Sequence, residues 1–398
     1  MSAECYNFVG LQNDLAMDSP FIYDRFVTGK NFLGRKSDCV ILSNLLVAGE
    51  QVMLYGRPKS GKMSLVQQTL FNMRLSGKHF MVAHASFANV RTLEQFLIKL
   101  GTAVIKSVSS TADEYSALVS RHLEGTHFVF DRARFASHDE VVSMNWAPDA
   151  NDVAQMLRLP QKIAAECGKP YYVIIENFHN VLKIDEYEDI FKEMNGVFMD
   201  RDRSQIASAS YILLGSHVNA MKFIFEEKKY FYRQVEYLPI SEVEDRDIVE
   251  YIARGFMQGG KVIDKELAMG ACKLFRGDMW YINHFVSICD TLTRGYINEA
   301  VLMEALRMII SLHEPRFQAI VDDLTDHQLS LVAAVLDGVI RFSASDVIEK
   351  YGLNSSANVR RVKDALKKKE VLTFNEKDEP VILDPLFKYW LEKHFFVR

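Results

Sequence analysis

The stretch Gly56-Arg57-Pro58-Lys59-Ser60-Gly61-Lys62 combines residue types at a spacing that could bind phosphate. It follows an apolar run at residues 52–55, which predicts a buried strand, and it precedes apolar residues at helical spacing. Strand, glycine-bounded loop with a lysine, and helix is the P-loop arrangement. Its backbone N–H groups and the helix N-terminus surround phosphate oxygens, and the lysine reaches the β- and γ-phosphates. The pattern predicts a nucleotide-binding loop, and an ordinary glycine-rich turn is the alternative.

The residue after this loop departs from the P-loop pattern. Met63 stands where the hydroxyl of a Ser or Thr would hold Mg²⁺. Ser64 lies one residue further, about 100° around a helix, so its hydroxyl cannot simply replace the missing one. The residues predicted to bind the nucleotide at the loop are Gly56, Pro58, Lys59, Ser60, Gly61, Lys62, Met63 and Ser64.

A second candidate element is the end of the apolar run at residues 171–175, where Glu176 and Asn177 follow. P-loop enzymes place Asp-Glu at such a strand end, the Asp to orient Mg²⁺ and the Glu to polarise the attacking water. Glu176 keeps a carboxylate for a metal, whereas Asn177 can hold a water but cannot accept a proton. Both residues are candidate catalytic residues, and the alternative is that they merely end a core strand. The departures at 63, 176 and 177 all affect the metal and hydrolysis, while the phosphate loop and its lysine are intact.

The composition restricts the class of protein. With 398 residues, 48% hydrophobic and 25% charged, the chain can form two or three domains with real cores. A net charge of −5 predicts no general attraction to nucleic acid or to an anionic membrane. The five cysteines are scattered without metal-ligand spacing, which indicates reduced thiols in a cytoplasmic protein. We find neither a signal peptide pattern nor an apolar stretch long enough to cross a membrane.

Alternation of strands and helices up to about residue 238 predicts a doubly wound α/β domain with its ligand beyond the carboxyl ends of the strands. Residues 107–148 are predicted to form an inserted helix plus a hairpin. Only helical patterns follow residue 239, and Glu314-Pro315 is predicted to end the last of them. The predicted organisation is an arm at 1–28, a P-loop α/β domain at 29–238, a helical lid at 239–320 and a third unit at 321–398.

The third unit has the pattern of a winged helix: three helices, a two-stranded hairpin and a last helix that begins at Asp384-Pro385. Thr325 with Gln328, and Ser343 with Asp346, are predicted capping boxes. The third helix, from residue 356, is the recognition helix of such folds. Its exposed face carries the candidate nucleic-acid-binding residues Arg360, Arg361, Lys363 and Lys367.

Two interpretations of this basic helix stay open. From residue 325 to 398 there are 12 Lys and Arg against 11 Asp and Glu, a net charge of +1, which is weak for a protein that neutralises DNA phosphates. The helix either contacts double-stranded DNA, or it is a solvated face and the unit contacts a protein.

Several short segments, in this order along the chain, resemble motifs of the archaeal-type ATPases within the STAND/AAA+ group of P-loop NTPases, found in archaea and Bacteroidetes-like bacteria. The segments are Phe32-Leu33-Gly34-Arg35, the P-loop, Leu214-Gly215-Ser216, Phe231-Tyr232-Arg233, Leu238-Pro239-Ile240-Ser241, Gly277-Asp278-Met279-Trp280-Tyr281-Ile282 and Asp384-Pro385-Leu386-Phe387. The resemblance implies an α/β fold: a doubly wound, AAA+-like P-loop NTPase core with a helical lid and a C-terminal winged helix.

The resemblance also implies roles for four residues outside the P-loop. Gly34 and Arg35 belong to a motif that packs against adenine, with Lys36 in place of the usual Glu. Ser216 corresponds to the first sensor of the γ-phosphate, or it is a strand-end cap. Arg233 is a candidate arginine finger in a homo-oligomer, or a surface arginine.

Two functions therefore remain. The first is an ATP- or ADP-binding switch, with or without Mg²⁺, whose hydrolysis is slow or impaired and whose winged helix reports the nucleotide. The second is a non-hydrolysing scaffold, or a DNA- or protein-binding module, that keeps a vestigial nucleotide site.

Overall fold

The computed structural model describes residues 19–200 and 207–396. Its first half is an α/β unit with a five-stranded parallel sheet in the order β2-β5-β6-β1-β7. The strands are β1 Gln51–Tyr55, β2 Met81–Ser86, β3 Phe128–Val129, β4 Ser143–Met144, β5 Tyr171–Glu176, β6 Ala209–Gly215 and β7 Val235–Tyr237. The helices are α1 Lys36–Val47, α2 Lys62–Leu75, α3 Leu93–Lys106, α4 Ala112–His122, α5 Arg132–His138, α6 Ala150–Cys167, α7 Tyr187–Met199 and α8 Val218–Lys222.

The three central strands of this sheet are buried on both faces, which explains their continuous apolar runs. Every residue of β1 and β6 is buried, and so are the first five of β5. One apolar cluster lies between the sheet and α3, α6 and α7, and another lies between the sheet and α1 and α2. The predicted doubly wound sheet is confirmed, and its carboxyl ends form one edge that holds the P-loop, Glu176 and Ser216.

The segment between α3 and β5 differs from its prediction in one respect. It contains two helices, α4 and α5, rather than one, and the hairpin is reduced to the two-residue pair β3–β4. Thr111 starts α4 with a capping box, and the Asp131 carboxylate caps α5, so polar residues that resembled a loop in sequence begin helices instead.

The second half begins with a helical lid. Its elements are α9 Asp245–Gln258, β8 Val262–Ile263, α10 Lys265–Leu274, α11 Met279–Leu292, β9 Tyr296–Ile297 and α12 Glu299–Asp322. The prediction that Glu314-Pro315 ends the last helix was wrong, because α12 continues through Pro315 to Asp322. Phe317, fully buried against Phe387 and Trp390, holds the far side of the proline in helical register.

The winged helix is confirmed. Its elements are α13 Asp326–Leu336, α14 Ser345–Tyr351, α15 Ser356–Lys368, β10 Leu372–Phe374, β11 Pro380–Ile382 and α16 Pro385–Trp390. Thr325 and Gln328 form their predicted capping box, whereas the one predicted at Ser343 was wrong because α14 begins after Ala344, with no side-chain cap. No helix within the described ranges is long and apolar enough to cross a membrane.

The lid and the winged helix share one hydrophobic core. A single cluster of buried residues runs from α9 through α12 to α16. Helix α12 crosses the boundary predicted at residue 320, so the two units are joined by a continuous helix and not by a linker.

Candidate functional site

The loop between β1 and α2 has the backbone path of a phosphate-binding loop. Gly61 has φ +88° and caps α2, and a Cβ there would lie 2.6 Å from Nη1 of Arg35. Lys59 also has positive φ, at +63°. Left-handed backbone at two of three successive residues turns N–H groups toward the loop centre, which is the basis of an anion-binding concavity. Glycine is favoured at 61 because a side chain would be strained at this positive φ, and its Cβ would also displace the Arg35 guanidinium.

The Lys62 ammonium lies inside this loop. Its Nζ donates to the carbonyl oxygens of Gly56 (2.9 Å) and Arg57 (2.7 Å) and to Oγ of Ser60 (3.2 Å). The side chain is buried, and burial lowers the pKa of Lys62 to about 7, against the opposing effect of the Glu176 carboxylate. An anion that enters the loop would strongly stabilise the charged form of this desolvated ammonium, whose present partners are neutral.

Glu176 is held by a residue from the neighbouring strand. His84 on β2 and Glu176 on β5 point to the same edge, with Nε2 and Oε2 3.2 Å apart. This hydrogen bond holds the pKa of Glu176 below its usual value, although partial burial opposes the effect. The carboxylate that was predicted to orient a metal therefore already has a hydrogen-bonding partner.

The positions that would serve Mg²⁺ do not fit that ion. Mg²⁺ requires hard oxygen ligands in octahedral geometry. Met63 offers a thioether, whose Sδ is 3.6 Å from Nε2 of Gln67. The Ser64 hydroxyl accepts a hydrogen bond from the backbone N–H of Val27 (3.1 Å), so it is used elsewhere, as its place on the helix predicted. The carboxylate of Glu176, at the end of β5, is already paired with His84.

A cavity of about 320 Å³ lies above the P-loop. Its lining includes eight of the predicted P-loop and strand-end residues, together with the lid residues Met279 and Trp280. The predicted residues brought together there are Arg35, Lys59, Ser60, Gly61, Lys62, Met63, Ser64, Glu176 and Ser216. The P-loop, the strand ends and the lid thus converge on one concave site of a size suited to a nucleotide.

The chain before α1 closes one side of this cavity. Phe21 is buried in the lid against Tyr251 and Phe256. The indole of Trp280 donates to the Tyr23 carbonyl (2.8 Å). Further on, the Gly29 N–H donates to the Gln68 side chain on α2 (2.6 Å). Residues 21–29 therefore connect the lid to the P-loop helix, a role that the sequence did not indicate.

The motif Phe32-Leu33-Gly34-Arg35 connects the loop to the start of the lid. The Arg35 guanidinium donates to the carbonyl oxygens of Ser60 (3.0 Å) and Ser241 (2.8 Å). The Asp38 carboxylate accepts from the N–H and hydroxyl of Ser241. Gly34 has φ +64° and packs on Val243. The segment 32–35 and the segment 238–241 are far apart in sequence, and these hydrogen bonds hold them together beside the P-loop.

The lid also contacts the loop through Arg57. Its guanidinium pairs with the Asp278 carboxylate, which is almost fully buried and also caps α11 by accepting from the Tyr281 N–H. The Tyr281 hydroxyl donates to the Asp384 carboxylate, and the Arg316 guanidinium pairs with the same carboxylate (2.7 Å). A polar chain thus runs from the P-loop through the lid to the winged helix.

The other predicted catalytic residues lie outside this cavity. Asn177 has φ +59° and starts a short helical turn at Phe178–Lys183. Arg233 is exposed, with its guanidinium 5.1 Å from the Tyr232 ring. Pro58 lies at the exposed tip of the loop, and Gly56 lines a wider cleft of about 1060 Å³ on its far side.

The four basic residues of α15 divide into two pairs. Arg360 and Arg361 are exposed. Lys363 lies 4.1 Å from the Phe374 ring of the wing, and Lys367 pairs with Glu227 of the α/β unit (3.1 Å). Half of the predicted nucleic-acid surface is therefore engaged within the molecule.

Sequence inspection missed three side chains of the site. His84 was hidden because its relation to Glu176 depends on strand order. Asp278 appeared only as part of a motif, and its pairing with Arg57 depends on lid placement. His179, whose ring stacks on His217 (4.1 Å) and accepts from the Ser216 N–H (3.3 Å), was hidden by its distance in sequence.

Comparison with known proteins agrees with this architecture. A family model described as a probable winged helix domain matches residues 315–393. A Walker-type ATPase of Pyrococcus abyssi is similar in structure, with TM-score 0.64, 13% identity and coverage of 94% of this chain and 99% of that one. The ORC2 protein of Aeropyrum pernix, solved as ADPNP–ADP complexes, gives TM-score 0.57, 13% identity and coverage of 92% and 93%. A search of curated protein sequences found no match.

These findings define the class of fold. The chain has the α/β fold of AAA+ P-loop ATPases, with a C-terminal winged helix. The resemblance deduced from the order of motifs is confirmed, because the solved structures similar to this chain include archaeal ORC and Walker-type ATPases over nearly its whole length.

Proposed function

We propose that this protein is a nucleotide-dependent switch that binds ATP or ADP at the P-loop and hydrolyses ATP slowly or not at all. The observation that carries the proposal is the buried Lys62 ammonium, held by loop carbonyls at the floor of a cavity that the lid also lines. The ORC2 protein of Aeropyrum pernix, which has a similar fold, was solved as ADPNP–ADP complexes. Here the cleft between core and lid offers a place for a nucleotide.

Each part of the site has a task in this proposal. The loop N–H groups and Lys62 would bind the β- and γ-phosphates. Ser216 would contact the γ-phosphate from the end of β6. Residues 22–27 and the lid residues around Trp280 would enclose the base and sugar, because they line the far side of the cavity.

Slow hydrolysis follows from the residues at the P-loop and at the end of β5. Glu176 is occupied by His84, Asn177 cannot accept a proton, and Met63 gives no oxygen to a metal. Arg233, exposed on the surface, would reach a nucleotide only in a neighbouring copy, so any assistance from it requires a homo-oligomer.

Isothermal titration calorimetry with ATP and ADP tests the proposal, with and without Mg²⁺. We expect binding by the native protein, little dependence on Mg²⁺, and loss of binding in Lys62→Ala. Lys78→Ala is the matched control, because Lys78 is an exposed lysine beyond the far end of α2, outside the cavity. No heat at millimolar nucleotide would favour the scaffold with a vestigial site.

The second candidate function is DNA or protein binding through the winged helix. The exposed guanidinium groups of Arg360 and Arg361 favour DNA binding. Among the described residues, Cys39, Cys167, Cys272 and Cys289 are free thiols, which fits a cytoplasmic location, and we propose that location for either function.

A further inference from the structure

Two polar side chains in the lining of the nucleotide cavity are more than nine-tenths buried, and they come from different units of the protein. Among the described residues that line the cavity, these are Lys62 of the P-loop, which is 7% exposed, and Asn283 of the lid, which is 8% exposed. Lys62 belongs to the phosphate loop. Asn283 has no task in phosphate binding, and a buried amide without a partner costs free energy, so its place in the cavity requires an explanation.

The carboxamide of Asn283 is held in one orientation. Asn283 lies one helical turn after Met279 on α11, and both side chains line the cavity. The hydroxyl of Tyr251, on α9, donates to Oδ1 of Asn283 (2.9 Å). Burial raises the pKa of Tyr251 to about 12, so this hydroxyl keeps its proton at neutral pH. The oxygen of the carboxamide is therefore turned toward α9, and the NH₂ group is its free end.

The amide nitrogen of Asn283 has hydrogens left to donate. A carboxamide carries two N–H donors. In the ranges of the chain that the structure describes, the hydrogen bond of this side chain is the one that its oxygen accepts from Tyr251. The nitrogen nevertheless keeps accessible surface, unlike the fully enclosed polar atoms of the protein that lack partners. Since the residue is buried everywhere else, we conclude that this donor faces the cavity.

The walls that accompany this donor suit a flat ring. The lid and the chain before α1 contribute apolar or aromatic side chains to the lining, among them Ile22, Phe32, Leu33, Val243, Met279 and Trp280. The indole of Trp280 is itself fixed by its hydrogen bond to the Tyr23 carbonyl. Apolar walls with a few fixed polar groups are typical of small-molecule sites, and aromatic faces stack on heterocyclic rings.

We propose that Asn283 contacts the base of the bound nucleotide by donating an amide N–H to a ring nitrogen of adenine, and that Tyr251 is the positioning residue that orients it. This inference rests on the proposed function, because it assumes that the phosphates lie at Lys62. The ring nitrogens of adenine are acceptors, so a fixed donor suits them. Asn283 would thus make the site prefer an adenine nucleotide to a simple polyphosphate.

Calorimetry on the full chain with ATP and with inorganic tripolyphosphate separates base binding from phosphate binding. The native protein should bind ATP more tightly than tripolyphosphate. Asn283→Leu, which keeps the volume but removes the amide, should bind ATP about tenfold more weakly and tripolyphosphate as the native protein does. Asn44→Leu makes the same change at an exposed position of α1 and should alter neither affinity.

A second variant guards against misfolding of the first. Asn283→Leu leaves the buried Tyr251 hydroxyl without an acceptor, whereas Asn283→Asp keeps an acceptor for it and removes the N–H donors. The added charge repels any phosphate, so the readout is the ratio of ATP affinity to tripolyphosphate affinity. We expect this ratio to fall about tenfold in Asn283→Asp as well.

Adenine analogues identify the contacted atom. In 1-deaza-, 3-deaza- and 7-deaza-ATP, one ring nitrogen is replaced by C–H. One of these analogues should bind the native protein about tenfold more weakly than ATP but bind Asn283→Leu as ATP does, because donor and acceptor form one pair. Tyr251→Phe should reduce this discrimination several-fold and leave tripolyphosphate binding unchanged. A merely structural role of Tyr251 would weaken all of these ligands alike.

The outcomes separate this inference from the proposed function. Unchanged ATP affinity in the Asn283 variants, or native binding of all three analogues and of tripolyphosphate as tightly as ATP, would overturn the role of Asn283 and leave phosphate binding intact. Equal losses for ATP and tripolyphosphate would overturn it too, because they would indicate a general disturbance of the lid. If the native protein binds neither ATP nor tripolyphosphate, the proposed function fails, and this inference fails with it.

Discussion

Nucleotide binding at this P-loop should take up a proton at Lys62. Burial places the pKa of Lys62 at about 7 before the phosphate arrives, compared with 10.5 in water. Phosphate oxygens favour the ammonium and raise the pKa again. At a pH between the Lys62 pKa of the free protein and that of the complex, the free protein binds fewer protons than the complex. The affinity for the nucleotide is therefore highest below pH 7 and falls as the pH rises above 7.

The size of the effect follows from that pKa. At pH 8 only about one Lys62 in ten is charged in the free protein, so binding should take up about 0.9 proton, against about 0.1 at pH 6. Above pH 7 the Kd should rise about tenfold for each pH unit, which corresponds to about 1.4 kcal/mol.

Calorimetry in two buffers of different ionisation enthalpy measures this uptake directly. At pH 8 the observed heat should differ between buffers by about 0.9 times the difference in ionisation enthalpy. Lys78→Gln should keep the effect, because that exposed lysine lies beyond the far end of α2 and outside the cavity. Tight binding at pH 8 with a heat that does not depend on the buffer would refute the assignment of a near-neutral pKa to the buried lysine.

Three further outcomes are expected. Met63→Thr, which restores a hydroxyl beside the P-loop, should raise phosphate release in a steady-state assay, and native turnover at or above about 1 s⁻¹ would contradict impaired hydrolysis. If α15 binds duplex DNA, reversing the charges of Arg360 and Arg361 should weaken that binding. The slope of log K against log salt concentration should fall by roughly 0.9 for each phosphate that is no longer neutralised. Binding at low salt that is unchanged by both reversals would leave protein binding as the role of the winged helix. Trp390→Ala empties a fully buried site between the lid and the winged helix, and urea unfolding should show a loss of about 3–5 kcal/mol in the free energy of unfolding; a change below about 1 kcal/mol would mean that the shared core does not depend on this ring.

Local chemistry made the P-loop and the winged helix predictable. The glycines and lysine of the loop act within seven residues, and the apolar runs of β5 and β6 reflect burial on both faces. A proline at the start of α16 and a capping box before α13 likewise predict helix starts from a few neighbouring residues. Each of these features depends on residues close together in the chain, so each can be predicted from the sequence alone.

Partners across the fold could not be predicted in the same way. His84 meets Glu176 only because β2 pairs with β5, and the strand order is not written in either segment. Pro315 was predicted to end a helix because its missing N–H disfavours the helical interior. Burial of Phe317 on the winged helix outweighed that local preference, and such packing is known only once the third unit is in place.

The continuity of α12 makes the lid and the winged helix one lever. A helix of 24 residues is about 36 Å long, so a rotation of about 10° at its lid end moves its other end by about 6 Å. This lever contacts the α/β unit at two places: Arg57 of the P-loop pairs with Asp278 of the lid, and the N–H of Asn219 on α8 donates to the Glu370 carboxylate of the winged helix. A change in the angle between the lid and the α/β unit would therefore also displace the winged helix.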